Sequence, residues 1–183
     1  MENDGEKKFP KLLELLTIEE KKKSNNITKI TDKIYIGDED GAKELDYLKA
    51  EQIHYILSIV PTPPTYPEEM NINIMHLNIE DGLNIQIIQH LKNCIEFIEK
   101  SDKIYIHCIC GVNRSPAIAI GYLMWKTHSS YDDVFNYIKQ KRDCIELNNL
   151  FIIQLKKFQN LLKSCNYDLQ KIEVKPKDKN KNL

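Results

Sequence analysis

Nine consecutive residues, His107-Cys108-Ile109-Cys110-Gly111-Val112-Asn113-Arg114-Ser115, set a thiol, a glycine and a guanidinium at a spacing suited to phosphate chemistry. Successive backbone N–H groups of such a loop can turn inward as an anion nest, and a following helix adds positive charge at its N-terminus. Gly111 supplies a position free to take positive φ. Arg114 offers a planar fork for two phosphate oxygens and grips better as phosphorus becomes trigonal. The same field favours Cys108 as the attacking thiolate. Ser115 can donate to the sulfur and help it leave when a phosphocysteine is hydrolysed. The backbone of Ile109, Cys110, Gly111, Val112 and Asn113 would line the anion, with Arg114 closing the ring.

The flanking sequence must position this loop. Ile104-Tyr105-Ile106 reads as a short buried strand before it, and Pro116 to Trp125 as a helix after it, with Pro116 suited to the first turn. The competing chemistry is a zinc site using His107, Cys108 and Cys110. Neighbours at a strand end point to opposite faces, and no C-x-x-C pair occurs elsewhere, so zinc is the weaker reading.

Transfer of phosphorus to sulfur needs a proton for the leaving oxygen. In a parallel sheet the acid belongs at the carboxyl edge of the strands, beside the loop. Ile72 to Ile79 alternates as a strand, and Glu80-Asp81-Gly82 follows at its carboxyl end. Asp81 is the favoured general acid and later general base, with Glu80 the neighbouring alternative. Asp102 precedes Cys108 on the same strand and lies at the wrong end, roughly 20 Å away.

These residues, and others around them, resemble a known family. The region from about Ile27 to Phe158 is similar to the catalytic domain of dual-specificity protein phosphatases. Ile30 to Gly37 resembles the opening strand, Ala42 to Leu48 the helix after it, and Ile53 to Ile59 the first buried parallel strand. Ile79-Glu80-Asp81 matches the place of the general acid, Gly121 to Met124 the helix after the loop, and Asn148, Phe151, Gln154 and Leu155 the terminal helix. The resemblance implies Cys108 as nucleophile, Arg114 as phosphate binder, Asp81 as acid, and His107, Ser115 and Asn148 as supporting residues. It also implies a shallow pocket admitting phosphotyrosine and phosphoserine or phosphothreonine. The chain departs from the family at Cys110, where alanine is most frequent, at Asn113, where serine is usual, and at Leu147, where a proline is common. The stretch from Asp81 to Cys108 is also several residues shorter, lost in the turn Lys100 to Lys103.

The expected fold is α/β: a mixed, mostly parallel sheet of about five strands flanked by helices, with the phosphate loop between a central strand and a helix N-terminus. Helical patterns cover Asn84 to Lys100, Pro116 to Lys126, Tyr131 to Lys141 and Asn148 to Leu162. The chain of 183 residues, 42% hydrophobic, suits one core. It divides into an extension at 1–26 with a short amphipathic helix from Phe9, a catalytic domain at 27–165, and a lysine-rich, disordered tail at 166–183. Tyr122, Trp125, Phe97 and Phe135 are expected in the core, and Cys94 on an apolar helix face. His54, His76, His90 and His128 share no ligand spacing. Cys110 is expected to pack like the alanine it replaces; the sharper alternative is a redox partner that protects Cys108.

A net charge of −1 argues against a nucleic-acid partner, and no apolar run reaches membrane-spanning length. The polar start lacks a signal-peptide core, Glu2 excludes myristoylation, and the ending is no prenylation box. Five cysteines without regular spacing are then reduced thiols in a cytoplasmic or nuclear protein. No cofactor or metal is expected, because Arg114 and the amides supply the charge stabilisation. The loop positions Ile109, Cys110, Val112 and Asn113 are neutral, so phosphorylated proteins are favoured over phosphoinositides or RNA 5′-phosphates. A phosphate-binding pseudophosphatase is the alternative from another class.

Overall fold

The computed structural model describes residues 26–79 and 85–174. Five strands form one sheet: β1 (Ile27–Lys29), β2 (Ile34–Gly37), β3 (Tyr55–Ile59), β4 (Asn73–His76) and β5 (Ile104–Cys108), in the order β1-β2-β5-β3-β4. Only β1 pairs antiparallel; the other three pairings are parallel. The mixed, mostly parallel sheet of the sequence reading is what the chain forms.

Strand β5 is central and buried at every position, as a parallel strand covered on both faces must be. Its alternation sorts the core. Ile104, Ile106 and Cys108 join the main cluster with Ile34, Ile36, Leu57 and Ile59, whereas Tyr105 joins Tyr35 and Ile56 on the other face. The main cluster is covered by α2 (Ile88–Lys100), α3 (Arg114–Thr127), α4 (Tyr131–Lys141) and α5 (Asn149–Ser164). The second face carries the short α1 (Leu45–Ala50), which contributes Leu48. Helix α3 is buried almost all round, because α2, α4, α5 and the sheet enclose it. Its neighbours are amphipathic and begin on side-chain caps where the sequence provides them: Ser130 Oγ accepts from the Asp133 amide, and Asn148 Oδ1 from Phe151.

Three features differ from the sequence reading. Strand β4 ends at His76 because the Ile79 amide bonds back to the Leu77 carbonyl at 2.9 Å, a tight turn that leaves the ladder. Trp125, Phe97 and Phe135 are half-buried; only Tyr122 of the four aromatics is fully inside. The tail expected to be disordered from residue 166 instead returns to the domain over its described part, residues 166–174. Trp125 Nε1 donates to the Tyr167 carbonyl at 2.9 Å, the Tyr167 ring stacks on His128, and Ile172 is buried. Apolar residues interleaved with the lysines account for this: Leu169 and Val174 pack against the same cluster. The amphipathic pattern from Phe9, residues Glu80 to Asn84, and the end of the chain from 175 lie outside the described residues.

Candidate active site

The parallel register brings three strand ends to one edge. Gly37 of β2 and Ser58 of β3 are both in register with His107, and Ile59 with Cys108. Beyond that edge the chain makes the loop from Ile109 to Asn113 and enters α3 at Arg114. Gly111 takes φ +66°, and a Cβ there would lie within 2.7 Å of the Gly37 carbonyl. The positive φ expected for this glycine is present, and a close backbone approach adds a second requirement.

The loop carbonyls are turned outward by donors from the surrounding structure. Ile109 O accepts from the Glu39 amide at 3.2 Å, Gly111 O from Arg142 Nε at 3.0 Å, and Val112 O from the Glu146 amide at 2.9 Å. In a trans peptide, C=O and N–H point in opposite directions, and every described peptide is trans. The amides of Cys110, Val112 and Asn113 therefore face inward, toward the space above Cys108. Together with the N-terminus of α3 they form an anion nest.

Cys108 is almost fully buried, with Sγ 3.3 Å from Ser115 Oγ. The same hydroxyl lies 3.1 Å from the Gly37 carbonyl. A hydroxyl has one proton and can serve only one acceptor at a time. Beside a neutral thiol, Ser115 donates to Gly37; beside a thiolate, its O–H can turn to sulfur.

Arg114 is buried, and its Nη1 donates to the Ile79 carbonyl at 2.9 Å, with Ile59 O at 3.4 Å. Ile79 stands two positions before Asp81, so the arginine expected to bind phosphate holds the chain two residues before the expected acid. Asp81 and Glu80 themselves lie outside the described residues.

His107 faces the opposite side of β5 from Cys108, stacked on Tyr105 with ring centroids 5.5 Å apart. Burial pushes its imidazole down to about 4, partly offset by the Cys108 backbone. It is neutral near pH 7, and neither ring nitrogen makes a well-formed hydrogen bond among the described residues. Asn148 lies against the loop: its backbone amide donates to Asn113 Oδ1 at 3.0 Å while its own side chain caps α5. The asparagine at 113 thus ties the loop to the start of the last helix.

Cys110 does not pack like an alanine; its side chain is exposed, as is Ile109 beside it. Outward direction of these two side chains follows from amides that face inward. Among the described residues no group of three or more His, Cys, Asp or Glu side chains converges on one point, and His107 and Cys108 point to opposite faces. His54 and His76 each bond a backbone carbonyl, of Met70 and Val60 respectively.

Two residues at the site escape the sequence reading. Arg142 follows α4, and Asp38 follows β2; both approach the loop from behind. An arginine at the end of a helix ordinarily serves solvent or the helix dipole, so nothing local marks Arg142.

Comparison with known proteins gives the family and the fold. The model of the dual specificity phosphatase catalytic domain matches residues 34–161, and the chain belongs to that family. A tyrosine-protein phosphatase of Caenorhabditis elegans, vhp-1, is 30% identical over 75% of this chain and 22% of its own length. A MAP kinase phosphatase with leucine-rich repeats of Dictyostelium discoideum is 33% identical over 71% of this chain and 19% of its own. The crystal structure of DUSP15 is 30% identical, with a TM-score of 0.70, over 74% of this chain and 88% of that one. The chain thus spans less than a third of the vhp-1 and leucine-rich-repeat relatives and most of the compact solved domain.

Proposed function

We propose that this protein removes phosphate from phosphotyrosine and from phosphoserine or phosphothreonine in proteins through a phosphocysteine on Cys108. The observation that carries the reading is Cys108 Sγ beneath a loop whose carbonyls are held outward, 3.3 Å from Ser115 Oγ. In the first step the thiolate attacks phosphorus, the ester P–O bond breaks, and the leaving oxygen takes a proton from Asp81. Water then attacks the phosphocysteine, Asp81 takes a proton from it, and the S–P bond breaks. Ser115 donates to the departing thiolate. The inward amides and Arg114 bear the charge that gathers on the three equatorial oxygens, the part that magnesium plays in kinases. His107 acts from below as a neutral, buried support for the strand end.

The substrate class rests on the loop side chains. Ile109 is 38% exposed at the mouth and no loop position before Arg114 is basic, which suits a phosphorylated side chain better than a phosphoinositide or an RNA 5′-phosphate. Relatives named MAP kinase phosphatases make phosphorylated kinases candidate substrates. Free thiols at Cys94, Cys108, Cys110, Cys144 and Cys165 accord with a reducing, cytoplasmic or nuclear setting.

A second reading is a phosphate-binding module without turnover. The same fold is found in the human tyrosine phosphatase-like serine/threonine/tyrosine-interacting protein, at TM-score 0.72 and 25% identity. The presence of Cys108 and Asp81 favours catalysis. Hydrolysis in EDTA of a phosphate ester whose leaving oxygen needs a proton tests the choice, beside Cys108→Ser and Asp81→Ala. Activity abolished by the first and strongly reduced by the second supports the enzyme; an inactive parent that still binds phosphate analogues supports the module.

A further inference from the structure

Of the three loop carbonyls held outward, two are held by backbone amides, from Glu39 and Glu146. The third, Gly111 O, is held by a side chain, the Nε of Arg142 at 3.0 Å. The Gly111–Val112 peptide is also the one that follows the positive-φ residue.

Arg142 is built to hold that plane. Its side chain is buried, Nη1 donates to Thr28 Oγ1 on β1 at 3.0 Å, and Nη2 lies 4.0 Å from Asp38 Oδ2. Asp38 is itself fixed, accepting from the Gly41 amide through Oδ1 and from the Tyr105 hydroxyl through its carbonyl. A Cβ on Gly111 would come within 2.6 Å of Arg142 Nη2, so the guanidinium lies directly against the glycine. One planar group thus joins the outer strand, the segment after β2 and the loop. A lysine, with one nitrogen on a flexible stem, could not reproduce this three-way fork.

We propose that Arg142 is a positioning residue for oxyanion binding: by holding Gly111 O outward it keeps the Val112 N–H aimed at the phosphate. The proposal rests on the phosphatase-loop reading for its ligand, but on binding rather than turnover. Loss of the bond frees the peptide to rotate, which would replace an inward donor with an inward carbonyl and repel the anion.

The test is calorimetric titration of the full chain with tungstate, beside kcat/KM for an aryl phosphate, for the parent, Arg142→Lys and Arg142→Met. Both variants should bind tungstate more weakly, on the order of tenfold to a hundredfold, with kcat/KM falling in parallel. Methylguanidinium should restore part of the tungstate affinity to Arg142→Met and none to the parent. Thr28→Val, which loosens the far end of the fork without touching the loop, should weaken tungstate in the same direction and by less; it provides the reading if Arg142→Met does not fold. Tungstate affinity unchanged in Arg142→Lys, or unchanged in Thr28→Val and Arg142→Met while only the melting temperature falls, would overturn the proposal. An inactive parent whose tungstate affinity still depends on Arg142 would overturn the enzyme reading and leave this one standing.

Discussion

Arg114 Nη1 donates to the carbonyl of Ile79 at 2.9 Å, joining the guanidinium at the end of the loop to the chain two residues before Asp81. The join runs from the helix after β5 to the segment after β4, two elements that the sheet order keeps apart by one strand. In the proposed mechanism this bond links the phosphate site to the chain two residues before the acid.

Asp81→Asn removes the proton donor while keeping the shape of the side chain. Turnover of an alkyl phosphate should fall by about a hundredfold to ten-thousandfold. An aryl phosphate with an acidic phenol as leaving group should lose far less, because its oxygen departs without a proton. Steady-state kinetics on the two esters measures the contrast; equal losses on both would remove Asp81 from the role of acid.

Gly111→Ala places a methyl group against Arg142 and the Gly37 backbone at a φ of +66°. The left-handed conformation alone costs about 1–2 kcal/mol for an L-residue, and backbone on one side of the clash cannot yield. Phosphate affinity should fall together with thermal stability. Denaturant melts with and without phosphate separate the two: the stabilisation that phosphate gives the parent should vanish in the variant.

His107 provides a pH dependence whose sign is fixed by burial. Its folded value of about 4 lies below the ordinary 6.5, so between those values the unfolded chain binds the proton and the folded one does not. Stability is full above that window and is lost as pH falls through it, by about 2 kcal/mol between pH 7 and pH 5. His90, also lowered by burial, adds in the same direction. Urea melts of the parent and His107→Gln at both pH values isolate the His107 share, which should disappear from the variant.

Thiol labelling should follow exposure. Cys110 and Cys144 are exposed, while burial pushes the Cys94 thiol up to about 12. Alkylation of the folded protein near neutral pH should mark the first two quickly and Cys94 only after unfolding, as peptide mass spectrometry would show. Labelling of Cys94 as fast as Cys144 would mean that α2 opens in the folded state.

What the sequence could show depended on how local each feature is. The loop from His107 to Ser115 is contiguous, and its strand and helix flanks follow at once, so the thiol, glycine and arginine of the candidate site were all legible. Asn148 was legible only through family resemblance, since its tie to Asn113 crosses 35 positions. Arg142 was not legible, because its partners Gly111, Thr28 and Asp38 come from three separate elements and no spacing rule connects them. The docking of Tyr167 and Ile172 was hidden for a related reason: a lysine-rich composition reads as solvated unless the groove awaiting its few apolar side chains is known.

The central claim is a covalent phosphocysteine, and trapping it is the most direct test. Ser115→Ala removes the hydroxyl 3.3 Å from Cys108 Sγ. Loss of one hydrogen bond to a charged sulfur is worth about 1.5–3 kcal/mol and should slow thiolate departure roughly ten- to a hundredfold. Quench of this variant in alkaline denaturant during turnover of an aryl phosphate, followed by peptide mass spectrometry kept above neutral pH, should find the phosphoryl group on Cys108, with less in the parent and none in Cys108→Ser. Steady turnover by the parent, with no phosphoryl group on Cys108 in either protein and full activity retained in Cys108→Ser, would contradict the account.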